Sequence, residues 1–489
     1  MAFNKVAVLG KIVLEIEMEN VSPLLIGSEG ELMDTEVLKD SEGQPYIPGT
    51  SIIGVLRHLL EEQGKKQEAV MVLGGPDRQS AVQVTDACPV CEDIVIAKRD
   101  GVRIDVKTGT AMDQYKFDYE IIEPGCVFRF RIIATVRETD HSTGGQEEKK
   151  WPDRDTLEKY LHLYAAMIKS GQVRLGRMTT KGFGRMQLVS ARKRFLDFSR
   201  PSDLAAWLKN SYTMTGLTEE ELALDVPDNE FTVDAWFDIV NSLIVRGYTG
   251  SIDEPDAVNI AYAKKDPQGN TRYVLPGTSV KGALRHRALR IINTLGGDPR
   301  KSIGEQMLKD FMGWAGEKDD EAKSGSKKKS TDDKFKSRLI VEETVINNAA
   351  AELQHRIRID RFTGGVIEGA LFDSRPLWPL AGKSGPMVNI RLTVKNAREW
   401  EKGLVMLLLK DLWTEDLAVG GEKSIGRGVL RGVRAEVKDA GKSLKIIDAD
   451  GKLNLYNEHG LLEELERCVK ALAEECQKGA AGQEGGRTA

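Results

Sequence analysis

The chain lacks most of what marks a secreted, membrane-spanning or strongly basic protein. Its 489 residues include five cysteines, at 88, 91, 126, 468 and 476. An odd, sparse set of this kind does not build a disulfide framework, and no apolar signal region follows the opening Met-Ala-Phe-Asn-Lys. The most apolar run, Leu404 to Leu409, falls far short of the roughly 20 residues that a membrane-spanning helix needs. These absences predict a soluble cytoplasmic protein with reduced thiols. An excess of one charge is missing too: 70 Lys and Arg against 75 Asp and Glu leave a net charge of -5. No global basic field advertises nucleic acid, so any polyanion-binding surface must be concentrated locally.

What is present is repetition. Pro48-Gly49-Thr50-Ser51-Ile52-Ile53-Gly54-Val55-Leu56-Arg57-His58 returns as Pro276-Gly277-Thr278-Ser279-Val280-Lys281-Gly282-Ala283-Leu284-Arg285-His286. Further landmarks recur in the same order. Ser80 to Val84 returns as Ser337 to Val341, and Ile104-Asp105, Thr108-Gly109 and Phe117-Asp118 return as Ile359-Asp360, Thr363-Gly364 and Phe372-Asp373. Gly176, Gly182 and Gly184 have the spacing of Gly420, Gly426 and Gly428. A duplication of this length reads as two tandem copies of one domain.

Each copy opens on a strand, which alternates over residues 12–19 in the first and starts near Phe231 in the second. Each Pro-Gly-Thr-Ser phrase then opens a helix, with apolar residues three and four apart and Thr or Ser available as N-cap. A second alternating strand follows, from Phe128 and from Val388, and then a second amphipathic helix carrying Leu157, Leu161 and Tyr164 or Trp400, Leu404 and Leu408. Strand, helix, strands, helix, strand is the order of a ferredoxin-like α+β domain. The expected organisation is a first domain over 1–195, a linker over 196–229, a second domain over 230–440 and a tail over 441–489. Residues 316–336, almost without apolar side chains, read as a disordered insertion, and 455–476 read as a packing helix before a disordered end.

Three kinds of motif could carry chemistry. Thr50, Ser51 and Arg57, with Thr278, Ser279 and Arg285, place hydroxyls, helix N–H groups and a guanidinium together, which suits a phosphate; the alternative is a cap plus a solvated arginine. The glycine-rich loops, with Gly176, Arg177, Lys181, Gly182 and Arg185 in one copy and Gly420, Gly421, Lys423, Gly426 and Arg427 in the other, combine a permissive backbone with cations and could form an anion nest; a tight turn without ligand is the alternative. Cys88 and Cys91 have zinc-knuckle spacing, but no second such pair exists. His58 or Cys126 could complete a structural zinc site, or the pair could stay metal-free.

In ordered combination, seen twice, these motifs resemble the RAMP superfamily of CRISPR-Cas proteins, over about 10–195 and 230–435. Within it the chain is similar to the backbone subunit of type III effector complexes, and as a tandem fusion to the double-backbone subunit of type III-D systems. The resemblance implies modified RRM-like domains that hold guide RNA by its phosphates and sugars, a hairpin that flips out a base, pairing with a complementary target RNA, and neighbouring subunits of the same complex.

It also implies a catalytic aspartate on the loop between the first strand and the Pro-Gly helix. Asp34 fits that position, with Asp40 as a turn residue. In the second copy Asp253, Asp256 and Asp266 compete; Asp266 aligns with Asp40 and Asp256 is favoured. The implied reaction is endonucleolytic: the target's own 2′-hydroxyl attacks, assisted by Mg²⁺ or Mn²⁺ at the carboxylate. The alternative is a guide-binding scaffold that does not cut. A cation common in the family is present as Lys281 in the second copy and replaced by Ile53 in the first. His58 and His286 follow the helix arginines, where packing or phosphate contact is expected rather than guide processing.

Overall fold

Alternating apolar residues on long strands give each half of the chain a sheet with one buried face. The computed structural model describes residues 7–29, 35–105, 108, 110–138, 151–223, 230–247, 255–296, 303–314, 335–382, 385–449 and 451–482. Asp34, Asp253 and most of the 316–336 segment therefore lie outside the described residues. The chain divides into two units: residues 1–101, 117–179 and 183–227 in the first, and 102–116, 180–182 and 228–489 in the second.

In the first unit the strand Val8–Asn20 lies between Met186–Asp197 and Val127–Arg137, antiparallel to both, and Val82–Val84 extends the sheet beyond Val127–Arg137. By position in the repeat this is the order fourth, first, third, second of a ferredoxin-like sheet. Helices Gly49–Glu62 and Arg154–Lys169 supply the other core layer. Phe128, Phe130 and Ile132 point inward from alternate positions of their strand, and join Ile12, Leu14, Leu56, Leu60, Leu161 and Tyr164 in one core.

The opposite sheet face carries ion pairs. Glu17 pairs with Arg129 at 2.6 Å and Arg192 at 3.4 Å, and Glu15 pairs with Arg131 at 2.9 Å. This face is unlike the aromatic platform on which RRM sheets stack bases.

The second unit repeats the plan. Glu230–Ile239 is central, flanked by Val388–Lys395 and Leu430–Asp439, with Leu339–Val341 beyond the former. Helices Gly277–Leu295 and Glu399–Trp413 cover it, and Phe237, Leu284, Leu404, Leu408 and Val437 share its core. Two strands, Lys442–Ala449 and Lys452–Glu458, then extend this sheet to six. The expected helix over 455–476 is thus shifted: residues to 458 are strand, and the helix is Leu461–Gly482, with Leu461, Leu465 and Leu472 buried. Among the described residues no helix is long and apolar enough to cross a membrane.

Candidate nucleic-acid interface

The Pro-Gly phrases begin helices as expected, but their hydroxyls do not cap them. Pro48 and Pro276 occupy the N-cap positions, without a side-chain cap bond. In the first unit the Asp86 carboxylate instead accepts the Gly49 N–H at 2.8 Å, placing a negative charge at the positive end of the helix. Thr50 is exposed and Ser51, Thr278 and Ser279 are half-buried.

The two helix arginines are structural. Arg57 Nη2 donates to the carbonyls of Leu73 and Gly74 at 2.9 and 3.0 Å, closing the end of helix Lys66–Leu73. Arg285 Nη1 donates to the Gly313 carbonyl at 3.3 Å, just beyond helix Ile303–Met312. Each satisfies carbonyls that a helix end leaves without an internal partner, a structural role that the sequence reading did not include. Lys281 is turned inward as well. It is buried, its ammonium donates to Ser337 Oγ and the Leu339 carbonyl at 2.8 Å each, and desolvation followed by neighbouring cations holds its pKa well below the usual lysine value.

The glycine-rich loops are anchored by matching hydrogen bonds. Arg177 N–H donates to Leu25 O and Gly421 N–H to Ile244 O, each at 2.8 Å. Gly184 N–H reaches Pro23 O and Gly428 N–H reaches Ser242 O, again at 2.8 Å. Gly184 and Gly428 have φ of +73° and +76°, and a Cβ at either would sit 1.9 or 1.8 Å from the carbonyl oxygen of Leu175 or Val419. Gly176, Gly182, Gly420 and Gly426 also have positive φ. Arg177 and Lys423 are exposed on their loops, Arg185 is half-buried, and Lys181 is buried enough that desolvation lowers its pKa.

Between the outer glycines the copies diverge. Phe183 is buried with Leu25, Tyr119 and Ile121, its ring 6.2 Å from that of Tyr119. The matching Arg427 is also buried, with Nη1 on Ser242 Oγ at 2.8 Å, Nη2 on Gln354 Oε1 at 2.6 Å and Nε on Glu422 Oε2 at 2.8 Å. Glu422 pairs in addition with Arg356 at 3.0 Å. Arg427 is therefore an internal strut.

The Ile-Asp-x-x-Thr-Gly segments are hairpin tips. Asp105 Oδ1 accepts the Thr108 N–H at 2.9 Å, and Asp360 Oδ1 accepts those of Phe362 and Thr363 at 2.7 and 3.2 Å. Such carboxylate-to-backbone bonds build turns. They cap the hairpins Ile96–Ile104 with Ala111–Ile122 and Gln354–Ile359 with Val366–Ser374. Phe362, at the second tip, is 98% exposed.

In the second unit a cleft of about 410 Å³ lies against the Pro-Gly helix and the glycine-rich loop, lined by His286, Arg287, Arg290, Asp416 and Lys423 among others. Arg287 is held by Asp411 at 2.6 Å, and desolvation, reinforced by Lys423 and Arg285, lowers the pKa of His286. In the first copy His58 faces Glu62 at 3.0 Å, so that helix is less basic.

Of the candidate aspartates, Asp40 and Asp266 are turn residues: each accepts two backbone N–H bonds from the next four residues. Asp256 is exposed, and its Oδ2 accepts the Asp373 N–H at 2.9 Å beside the second hairpin. Cys88 is exposed, whereas Cys91 meets Cys126. Among the described residues no group of three or more His, Cys, Asp or Glu side chains is arranged to hold a metal ion.

The family model described as RAMP superfamily matches residues 17–187 and 257–431. No curated protein matches the chain. Among solved structures it is similar, at 19% identity and a TM-score of 0.30, to a chain of the cryo-EM structure of the type III-B Cmr-beta bound to cognate target RNA. That likeness covers 38% of this chain and 61% of the other.

Proposed function

The chain belongs to the RAMP superfamily through both of its repeats, and on that basis we propose that it is a tandem backbone subunit of a type III CRISPR effector complex, binding guide RNA and cutting complementary target RNA. The observation that carries this reading is that both matched regions include a Pro-Gly helix and a glycine-rich loop, and that the two loops are built by the same hydrogen bonds.

In this reading the RNA backbone runs over loop and helix-entry positions: Thr50, Ser51, Arg177 and Arg185 in the first copy, Thr278, Ser279, Gly421 and Lys423 in the second. The cleft with Arg290 and Lys423 makes the second copy the stronger phosphate site. Arg57, Arg285, Lys281 and Arg427 are engaged within the protein and act as structural supports in this reading. Cleavage is assigned to Asp34 and Asp256, with Mg²⁺ or Mn²⁺ supplying charge stabilisation for the attacking 2′-hydroxyl. A mostly hydrated Mg²⁺ needs only one or two protein carboxylates.

Titration of guide RNA with the purified protein at several salt concentrations tests the binding half. Phosphate tracking gives affinity that falls steeply with salt. Salt-insensitive binding, or none, contradicts the proposal.

A further inference from the structure

Cys88 opens the two-residue strand Cys88–Pro89, and Cys91 follows two residues after its end. Cys88 is exposed and Cys91 half-buried. The segment pairs antiparallel with the strand Val127–Arg137, Cys88 opposite Arg129 and Pro89 opposite Phe128. Val90 N–H donates to the Val127 carbonyl at 2.8 Å. One further step in this register sets Cys91 opposite Cys126, at a position without ladder hydrogen bonds, where antiparallel strands approach most closely. The two sulfurs are 2.8 Å apart. Cys126 is buried and anchored on both sides: its N–H donates to Asn20 Oδ1 at 2.9 Å, and its carbonyl accepts the Asn20 N–H at 3.1 Å.

We propose that Cys91 and Cys126 form an oxidant-responsive pair that closes to a disulfide. With hydrogen peroxide as oxidant, the more accessible Cys91 thiolate attacks one peroxide oxygen, giving a sulfenic acid and, after proton uptake, one water. The Cys126 sulfur then attacks the Cys91 sulfur, and the hydroxyl leaves with the Cys126 proton as a second water. Two thiols are oxidised and one peroxide is reduced. The bond closes a ring around residues 92–125, which hold the whole first hairpin. It crosses the hairpin base next to the Glu123 N–H bond to the Val95 carbonyl, at 2.9 Å. The second copy has Met387 ahead of the matching strand and no cysteine in this region, so the cross-link belongs to the first hairpin alone.

The test treats the full-length protein, and its Cys88→Ser and Cys91→Ser variants, with hydrogen peroxide. Free thiols are then alkylated in denaturant and the peptides mapped by mass spectrometry, alongside metal analysis of the untreated protein. The expected result is a dithiothreitol-sensitive link between the Cys91 and Cys126 peptides, with both thiols protected from alkylation, in wild type and Cys88→Ser. In Cys91→Ser the link is lost and Cys126 is alkylated. A link through Cys88, over-oxidation of Cys91 without a link, or zinc retained by these thiols in the untreated protein overturns the proposal. Because Cys91 is half-buried, Cys91→Val serves as a second variant should the serine perturb folding.

Discussion

Phe183 and Arg427 hold the same place in the two glycine-rich loops, each buried between left-handed glycines, yet one joins its loop to a hairpin by apolar contact and the other by ions. The residue five positions earlier differs in concert: Met178 packs with the Phe183 cluster, and Glu422 pairs with Arg427. Both adopt left-handed backbone, at φ of 57° and 55°.

Phe183→Ala is expected to destabilise the first unit by about 3–5 kcal/mol, the usual cost of emptying a buried aromatic site. Arg427→Ala should cost about 2 kcal/mol, because charge-assisted bonds are lost while Arg356 still holds Glu422. The pair Glu422→Met with Arg427→Phe, which copies the first loop, should recover most of that loss, since apolar replacements of buried ion pairs are often neutral or stabilising. Urea unfolding midpoints check all three.

Gly184→Ala and Gly428→Ala should prevent the loops from forming, because each Cβ would fall within 2 Å of a backbone oxygen that cannot move away. Gly43→Ala and Gly269→Ala have positive φ but nothing within 4 Å, so each should cost only about 1–2 kcal/mol of backbone strain. The comparison is read from thermal midpoints and from the RNA retained on purification.

Arg57→Ala and Arg177→Ala should separate stability from binding. The first removes two charge-assisted bonds to helix-end carbonyls and should lose about 2 kcal/mol of stability with RNA affinity unchanged. The second should weaken RNA binding and reduce the salt slope by about 1.

Lys281 gives a pH signature. Its pKa is lowered in the folded state, so between that value and the unfolded value the unfolded chain binds more protons, and stability rises with pH. The desolvation cost is fully present below the folded pKa and is relieved as pH climbs toward the unfolded value. Thermal midpoints should therefore gain from this residue as pH is raised from neutral, and Lys281→Met should abolish that gain.

The duplication, both ferredoxin-like sheets and the glycine-rich loops were legible because they depend on local period and on residues with special backbone freedom. The last two strands were not legible: only residues 455–458, the end of the second, fall in the stretch that reads as the start of a helix. Their signal was the Asp450-Gly451 pair, a hairpin turn type, with Asp448 Oδ1 accepting the Gly451 N–H at 2.8 Å. The roles of Arg57, Arg285 and Lys281 were not legible, since a cation one turn into a helix looks the same whether it meets a phosphate or the carbonyls of a distant segment. The contact of Cys91 with Cys126 was not legible either, since it depends on pairing between segments 35 residues apart.

The most direct measurement of the central claim is cleavage of an end-labelled complementary RNA by the reconstituted complex with Mg²⁺, comparing wild type, Asp34→Ala, Asp256→Ala and the double variant. The account expects each single variant to lose a different product and the double variant to lose both, with assembly intact. Unchanged products in all four would contradict cleavage by this chain and leave it a guide-holding scaffold.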